Sequence, residues 1–463
     1  MRNIWILTEE RPKREVIGRI LHKFSLDQSI SCFIDTIRIL PILNDDRKFS
    51  FCYKVIGFQS NVIDNIYIKL VSGYSSFVDF LVFYQEKLPE NGDVPLYAIE
   101  ETKTDDSESR NTGVFQRASK FVYVKHYYPE TKRVMLYNLR TVEKAVPTDT
   151  YTFGIRCLVT LGVEILGKRK DQTFYEPFTS VDELIATKKS MKSAPRGNIP
   201  ITIHKNENEI TISGRLVKNG TLSHDPNIGA LSLISAVIRV LGWKNEIVIE
   251  SHGLKQENLR MGNKFIKIAK MLDIKLDGLS LPNGTLPGRY WKYETDGEKL
   301  GTIFIHLVVE NFTNGQSIFE NHAGSEKGYF LTKDGKAISL EKYTDRALYK
   351  SGDKTKIIHI PDLILIDFCR SEIINIEGKK YDLREQAIEE LRNYDAIENM
   401  YIRKYYTDYR IIRTVVLYGG YSDKIYEIEV GFLLNKRGDL ILGIKAPEIF
   451  KDAIKNLIGF WFK

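Results

Sequence analysis

Two strand-length apolar runs, IHIPDLILID (358–367) and IINIEGKKY (373–381), stand on either side of a short polar turn at Cys369–Glu372. So short a connection leaves them only one arrangement, an antiparallel hairpin. Side chains alternate along a strand, so Glu377 and Lys379 share a face, and pairing can bring Asp362 beside them. Asp362 interrupts an otherwise apolar run, and a buried acid needs a partner or a metal. Asp382–Tyr401 then reads as a helix with an acidic first turn, and Arg410–Tyr418 as a further strand.

The same grammar occurs earlier in the chain. Ser75–Gln85 reads as a strand, a loop with Pro89, Asn91, Gly92 and Asp93 follows, and Pro95–Lys103 reads as its partner. Asp79, Glu101 and Lys103 occupy the corresponding places. Glu108–Val122 resembles a loop entering a helix, with further strands expected at Tyr123–Tyr128 and Arg133–Leu139. Arg110, Asn111, Gln116 and Arg117 have side chains suited to phosphates or to guanine and adenine edges, or to a solvated helix face. Two carboxylates and a lysine suit phosphodiester hydrolysis: the acids hold Mg²⁺ against the phosphate, and the lysine orients or deprotonates water. The alternative for each set is a hairpin with charges on its wet face.

Pro361-Asp362 followed by Glu377-Gly378-Lys379, in the order strand, strand, helix, strand, resembles the signature of the PD-(D/E)XK nucleases, among them the type II restriction endonucleases. The resemblance covers two stretches, roughly 40–139 and 306–418; in the first, Val78 stands where the family usually has proline. It implies a Mg²⁺-dependent endonuclease acting on double-stranded DNA. Asp362, Glu377, Asp79 and Glu101 would then be the metal ligands, and Lys379 and Lys103 the site lysines. An upstream glutamate joins the metal site in some members; Glu320, Glu326 and Glu15 are the candidates. Two dissimilar sites in one chain imply that each cuts one strand. A homodimer with only the C-terminal site active, a nuclease reading DNA shape, and a non-catalytic DNA-binding protein remain open.

The fold class expected is mixed α/β: two such cores, each a mixed sheet flanked by helices. Ala186–Asn198 (ATKKSMKSAPRGN) is the best linker, dividing the chain into 1–185, a middle module 199–284 and 285–463. The module reads β (Glu209–Val217), helix (Ile228–Leu241), β (Glu246–Glu250), helix (Glu257–Leu272), for DNA recognition or for joining the halves. Asp225-Pro226 would start its first helix. A length of 463 residues suits two or three domains, and a net charge of +7 leans towards a polyanion. Four scattered cysteines predict neither disulfides nor a zinc ribbon, and the histidines lack metal-ligand spacing. There is no phosphate-binding Gly-rich loop for ATP and no apolar run of membrane-spanning length. A cytoplasmic monomer or homodimer is expected.

Overall fold

The computed structural model describes residues 2–74, 76–102, 113–137, 148–167, 175–191, 201–218, 221–222, 226–321, 329–340, 357–421 and 427–462. The first half runs β1 (Arg2–Thr8), α1 (Arg14–Asp27), β2 (Phe33–Leu43), β3 (Phe49–Gln59), β4 (Ile63–Gly73), β5 (Phe80–Gln85), β6 (Tyr97–Thr102), α2 (Gly113–Tyr127), β7 (Lys132–Tyr137), α3 (Asp149–Thr160), β8 (Val163–Leu166) and α4 (Val181–Ser190). The middle supplies β9 (Thr202–Lys205), β10 (Glu209–Ser213), β11 (Val217–Lys218), β12 (Thr221–Leu222), α5 (Pro226–Val240), β13 (Glu246–Ile249), α6 (Lys264–Met271) and β14 (Ile274–Leu276). The remainder comprises β15 (Trp291–Tyr293), α7 (Lys299–Phe312), β16 (Gln316–Glu320), β17 (Tyr329–Leu331), β18 (Ala337–Ser339), β19 (Leu363–Asp367), β20 (Glu372–Lys380), α8 (Arg384–Glu390), β21 (Arg410–Tyr418), β22 (Gly431–Leu434), β23 (Leu440–Leu442) and α9 (Glu448–Trp461). The chain is thus mixed α/β, its sheets combining parallel and antiparallel pairs and flanked by helices. No helix among the described residues is long and apolar enough to cross a membrane.

The chain forms two compact units. Unit 1 comprises residues 1–3, 10–70 and 293–463; unit 2 comprises 4–9 and 71–292. Residues 10–70, grouped by linker position with 71–185, therefore pack with the C-terminal part. The expected linker begins late, because Ala186–Ser190 continue α4, whose Ser180 side chain caps it by accepting from the Glu183 amide.

In unit 1 the sheet order is β16-β19-β20-β21-β22-β23, with β20, β21 and β22 parallel and the other pairs antiparallel. Both faces are covered, which is why its strands are apolar nearly throughout. Leu363, Leu365, Ile374 and Ile376 turn towards Phe304 and Val308 of α7 and Phe450 of α9. Ile364, Ile366 and Ile373 turn the other way, onto Ala387, Tyr394, Ile397 and Ile402. The long helix expected at 382–401 is broken: after α8 the chain passes through a 3₁₀ turn (Leu391–Tyr394) and a π turn (Glu398–Ile402). The β2-β3-β4 meander joins this core through Phe49, which packs edge-on to Phe304 at 5.2 Å between ring centroids.

In unit 2, β5 and β6 are antiparallel and β6, β7 and β8 parallel, with residues 4–8 of β1 flanking β5. The strand expected at Tyr123–Tyr128 is instead, as far as Tyr127, the end of α2, whose Phe121, Val122, Tyr123 and Val124 are buried. A tertiary helix contact overrides the β preference of these residues: α2 lies on α5 and α6 of the middle module. That module is a β14-β13-β10-β9 sheet whose three parallel strands are linked by α5 and α6. The helix expected at Glu257–Leu272 starts later, at Lys264, after a single 3₁₀ turn. Asp225 lies outside the described residues.

Candidate active site

The hairpin register decides which side chains meet. In unit 1 Leu363 pairs with Ile376, which sets Asp362 opposite Glu377. The Gly378 amide donates to Asp362 Oδ2 at 3.0 Å, fixing the acid against the neighbouring strand. Gly378 is needed for close approach: a Cβ there would stand 2.3 Å from Thr302 Oγ1 on α7. Lys379, two residues along and on the same face as Glu377, places Nζ 2.6 Å from Glu377 Oε1 and 3.0 Å from Glu390 Oε2. The Tyr394 hydroxyl donates to the other Glu377 oxygen. Asp362, Glu377 and Lys379 are thus brought together, as their spacing predicted.

Glu390 and Tyr394 were not anticipated. They stand four residues apart in a helical segment, and that spacing is the signal that puts both on the face turned to β20. Burial, followed by the charge of Asp362, pushes the Glu377 carboxyl up to about 8. Asp362 is pushed up to about 6, again mainly by burial, with Glu298 and Glu390 adding to the effect. The Glu377 and Glu390 carboxylates outweigh burial at Lys379 and raise its ammonium, which is charged at neutral pH. Two buried acids that face one another and are both pushed up are what a divalent cation relieves, because its charge offsets both desolvation and mutual repulsion.

Among the described residues no group of three or more His, Cys, Asp or Glu side chains forms a ready-made metal cluster. Mg²⁺ does not require one, since it is commonly held by one or two carboxylates and completes its octahedron with water and phosphate oxygens. The Asp362–Glu377 pair fits that chemistry. Glu320 does not join it. It pairs with Leu363 across the strands and so points to the α7 face, where Arg11 holds it at 2.9 Å and also holds Glu310 at 2.7 Å. Glu310 in turn pairs with the buried His306 at 3.1 Å. Glu15 contributes its charge to Arg11 in this same network, and Glu326 lies outside the described residues.

In unit 2, Phe80 pairs with Ile99, which sets Asp79 opposite Glu100, and the Glu101 amide donates to Asp79 Oδ2 at 2.6 Å. Glu100, not Glu101, is therefore the acid beside Asp79. The two are neighbours on one strand and point to opposite faces, and only Glu100 is buried, at 2 % exposure. Burial, then the Asp79 charge, pushes Glu100 up to about 8. Lys120 of α2 places Nζ 2.7 and 2.8 Å from the two Glu100 oxygens and 3.4 Å from Asp79 Oδ1. Arg117 Nε lies 3.6 Å from Glu100, and Gln116 precedes it on α2. The Tyr123 hydroxyl donates to the Lys264 carbonyl at 3.0 Å, docking α6 on α2. Burial and the Lys120 charge pull the Lys264 ammonium down to about 8. Lys103, Arg110 and Asn111 lie outside the described residues.

No known protein family, no curated protein and no solved structure matches this chain.

Proposed function

We propose that the protein is a Mg²⁺-dependent endodeoxyribonuclease of the type II restriction kind, built on two PD-(D/E)XK-like cores and acting on double-stranded DNA in the cytoplasm without ATP. The observation that carries this reading is the constellation of Asp362, Glu377 and Lys379 on adjacent strands, with Lys379 Nζ 2.6 Å from Glu377. Asp362 and Glu377 would hold the ion, which supplies charge neutralisation at the scissile phosphate. Lys379, steadied by Glu390, orients the attacking water and stabilises its developing hydroxide; Tyr394 fixes the Glu377 carboxyl. The acid pair Asp79–Glu100 repeats the geometry, which supports a second centre cutting the other strand. The opposing observation is that Thr102 occupies on β6 the place of Lys379, which favours a homodimer using only the unit 1 site. Arg117, Gln116, Arg110 and Asn111 are the residues proposed to contact DNA.

The test is digestion of supercoiled plasmid in Mg²⁺ by wild type, Asp79→Ala and Asp362→Ala. Two working sites give linear or discrete fragments from wild type and nicked circles from each variant. Full cutting by Asp79→Ala with none by Asp362→Ala would establish the single-site homodimer. Intact plasmid with wild type on every long DNA would sink the nuclease reading.

A second expected result concerns stability. The folded Asp362 and Glu377 carboxyls sit above their ordinary values of 3.8 and 4.5, so the folded state binds more protons than the unfolded one between about 4 and about 8. Their contribution to stability is fully present at low pH and is lost as pH rises through about 6 and about 8. A bound cation removes that loss, so Mg²⁺ should raise the thermal midpoint more at pH 8 than at pH 5. Calorimetry of wild type and Glu377→Gln checks it: equal Mg²⁺ shifts at both pH values, or an undiminished shift in the variant, would count against a cation at this pair.

A further inference from the structure

The two hairpins can be aligned by their hydrogen bonds instead of by their sequences. Asp362 accepts from the amide of Gly378 and Asp79 from the amide of Glu101, so Gly378 and Glu101 are equivalent. Strand pairing gives the same answer, with Leu363 opposite Ile376 and Phe80 opposite Ile99. Glu100 then holds the place of Glu377, and Thr102 that of Lys379. Threonine carries no charge, and its hydroxyl cannot stand in for an ammonium beside a phosphate.

The missing charge arrives from another element. Lys120 of α2 brings Nζ to 2.7 Å from Glu100, close to the 2.6 Å between Lys379 and Glu377. We infer that Lys120 is the site lysine of the unit 2 constellation, serving with Asp79 and Glu100 the role that Lys379 serves from its own strand. This rests on the nuclease reading above.

Two features distinguish the cluster from a sealed ion pair. Glu100 is buried, but the side chains of Asp79, Lys120 and Arg117 keep 23, 23 and 26 % of their exposure, so the acids are approached from solvent past the lysine. The cationic side also exceeds the anionic one: Lys120, Arg117 and Lys264 gather around the two carboxylates of Asp79 and Glu100. That surplus is suited to a phosphodiester approaching the open side.

Lys120→Met, Lys120→Arg and Lys103→Met test the assignment on supercoiled plasmid, with Mg²⁺ binding followed by calorimetry in an Asp362→Asn/Glu377→Gln background that silences the other pair. Lys120→Met should leave nicked circles, with second-strand cutting down at least roughly 100-fold. Its Mg²⁺ affinity at Asp79–Glu100 should be equal or higher, because a competing cation has gone. Lys120→Arg keeps the ion pair and guards against misfolding; it too should nick, since a longer, planar guanidinium spreads its charge and does not place it where the compact ammonium stands. Lys103→Met should linearise as wild type does. Linear product from Lys120→Met, or wild-type rates restored by arginine, overturns the assignment and marks Lys120 as a structural ion pair. Wild type that leaves plasmid intact takes down the nuclease reading along with it, so the two failures are told apart.

Discussion

On the nuclease reading proposed above, Lys379→Ala should lower strand cutting by the unit 1 site roughly 10²–10⁴-fold, the range that a positioned group assisting proton transfer contributes. The protein should remain folded, because the Glu377 carboxyl that loses its partner keeps the Tyr394 hydroxyl, and burial already favours its neutral form. The product from supercoiled plasmid changes from linear to nicked, and the rate of first-strand cutting stays within about twofold if unit 2 works independently, as separated sites usually do. Glu390→Gln should cost less than Lys379→Ala, since it steadies the lysine at 3.0 Å without facing Asp362 across the hairpin. A Lys379→Ala enzyme that linearises plasmid at the wild-type rate would remove the unit 1 constellation from the chemistry altogether.

The largest effect on stability is expected beneath that site. Glu398, 4 % exposed, lies in the π turn and is held by both arms of Arg413 at 2.7 and 2.8 Å and by the amide of the fully buried Asn375 at 2.8 Å. Arg413→Met leaves a buried carboxylate with one neutral partner, which costs about 3 kcal/mol, the low end for a broken buried pair because the arginine is itself partly exposed. Adding Glu398→Gln should recover most of the loss, and urea unfolding of the two variants measures both. A single-variant loss under about 1 kcal/mol would mean the carboxylate finds water instead of staying buried. Asn375 precedes Glu377 by two residues on β20, so the same network holds the strand that carries the site.

The C-terminal constellation was legible because its connecting turn is short enough to leave one pairing register, and Arg410–Tyr418 forms the very strand that its pattern predicts. The earlier hairpin was legible as a hairpin and misread by one residue. Its strands are joined by eleven residues, Glu86 to Leu96, whose composition specifies a turn but not a register, and a slip of one exchanges Glu100 for Glu101. Lys120 was out of reach for a different reason: it lies twenty residues from Glu100, and only the packing of α2 against β6 brings them together. The packing of α2 on α5 and α6 keeps Tyr123–Tyr127 helical. The grouping of 10–70 with 293–463 depends on contacts such as Phe49 on Phe304, which no local pattern encodes.

That grouping sets the order in which the protein can be made. Unit 1 begins near the start of the chain and finishes at its end, with residues 71–292 between. As the chain leaves the ribosome, unit 2 can close while the β2-β3-β4 meander still waits for α7 and the six-stranded sheet. The later acid pair therefore forms only after synthesis of most of the chain, and a gene fragment starting at residue 285 would lack Phe49, which its core around Phe304 and Phe432 requires. Expressed alone, such a fragment would present that bare apolar face to every other copy in the cell.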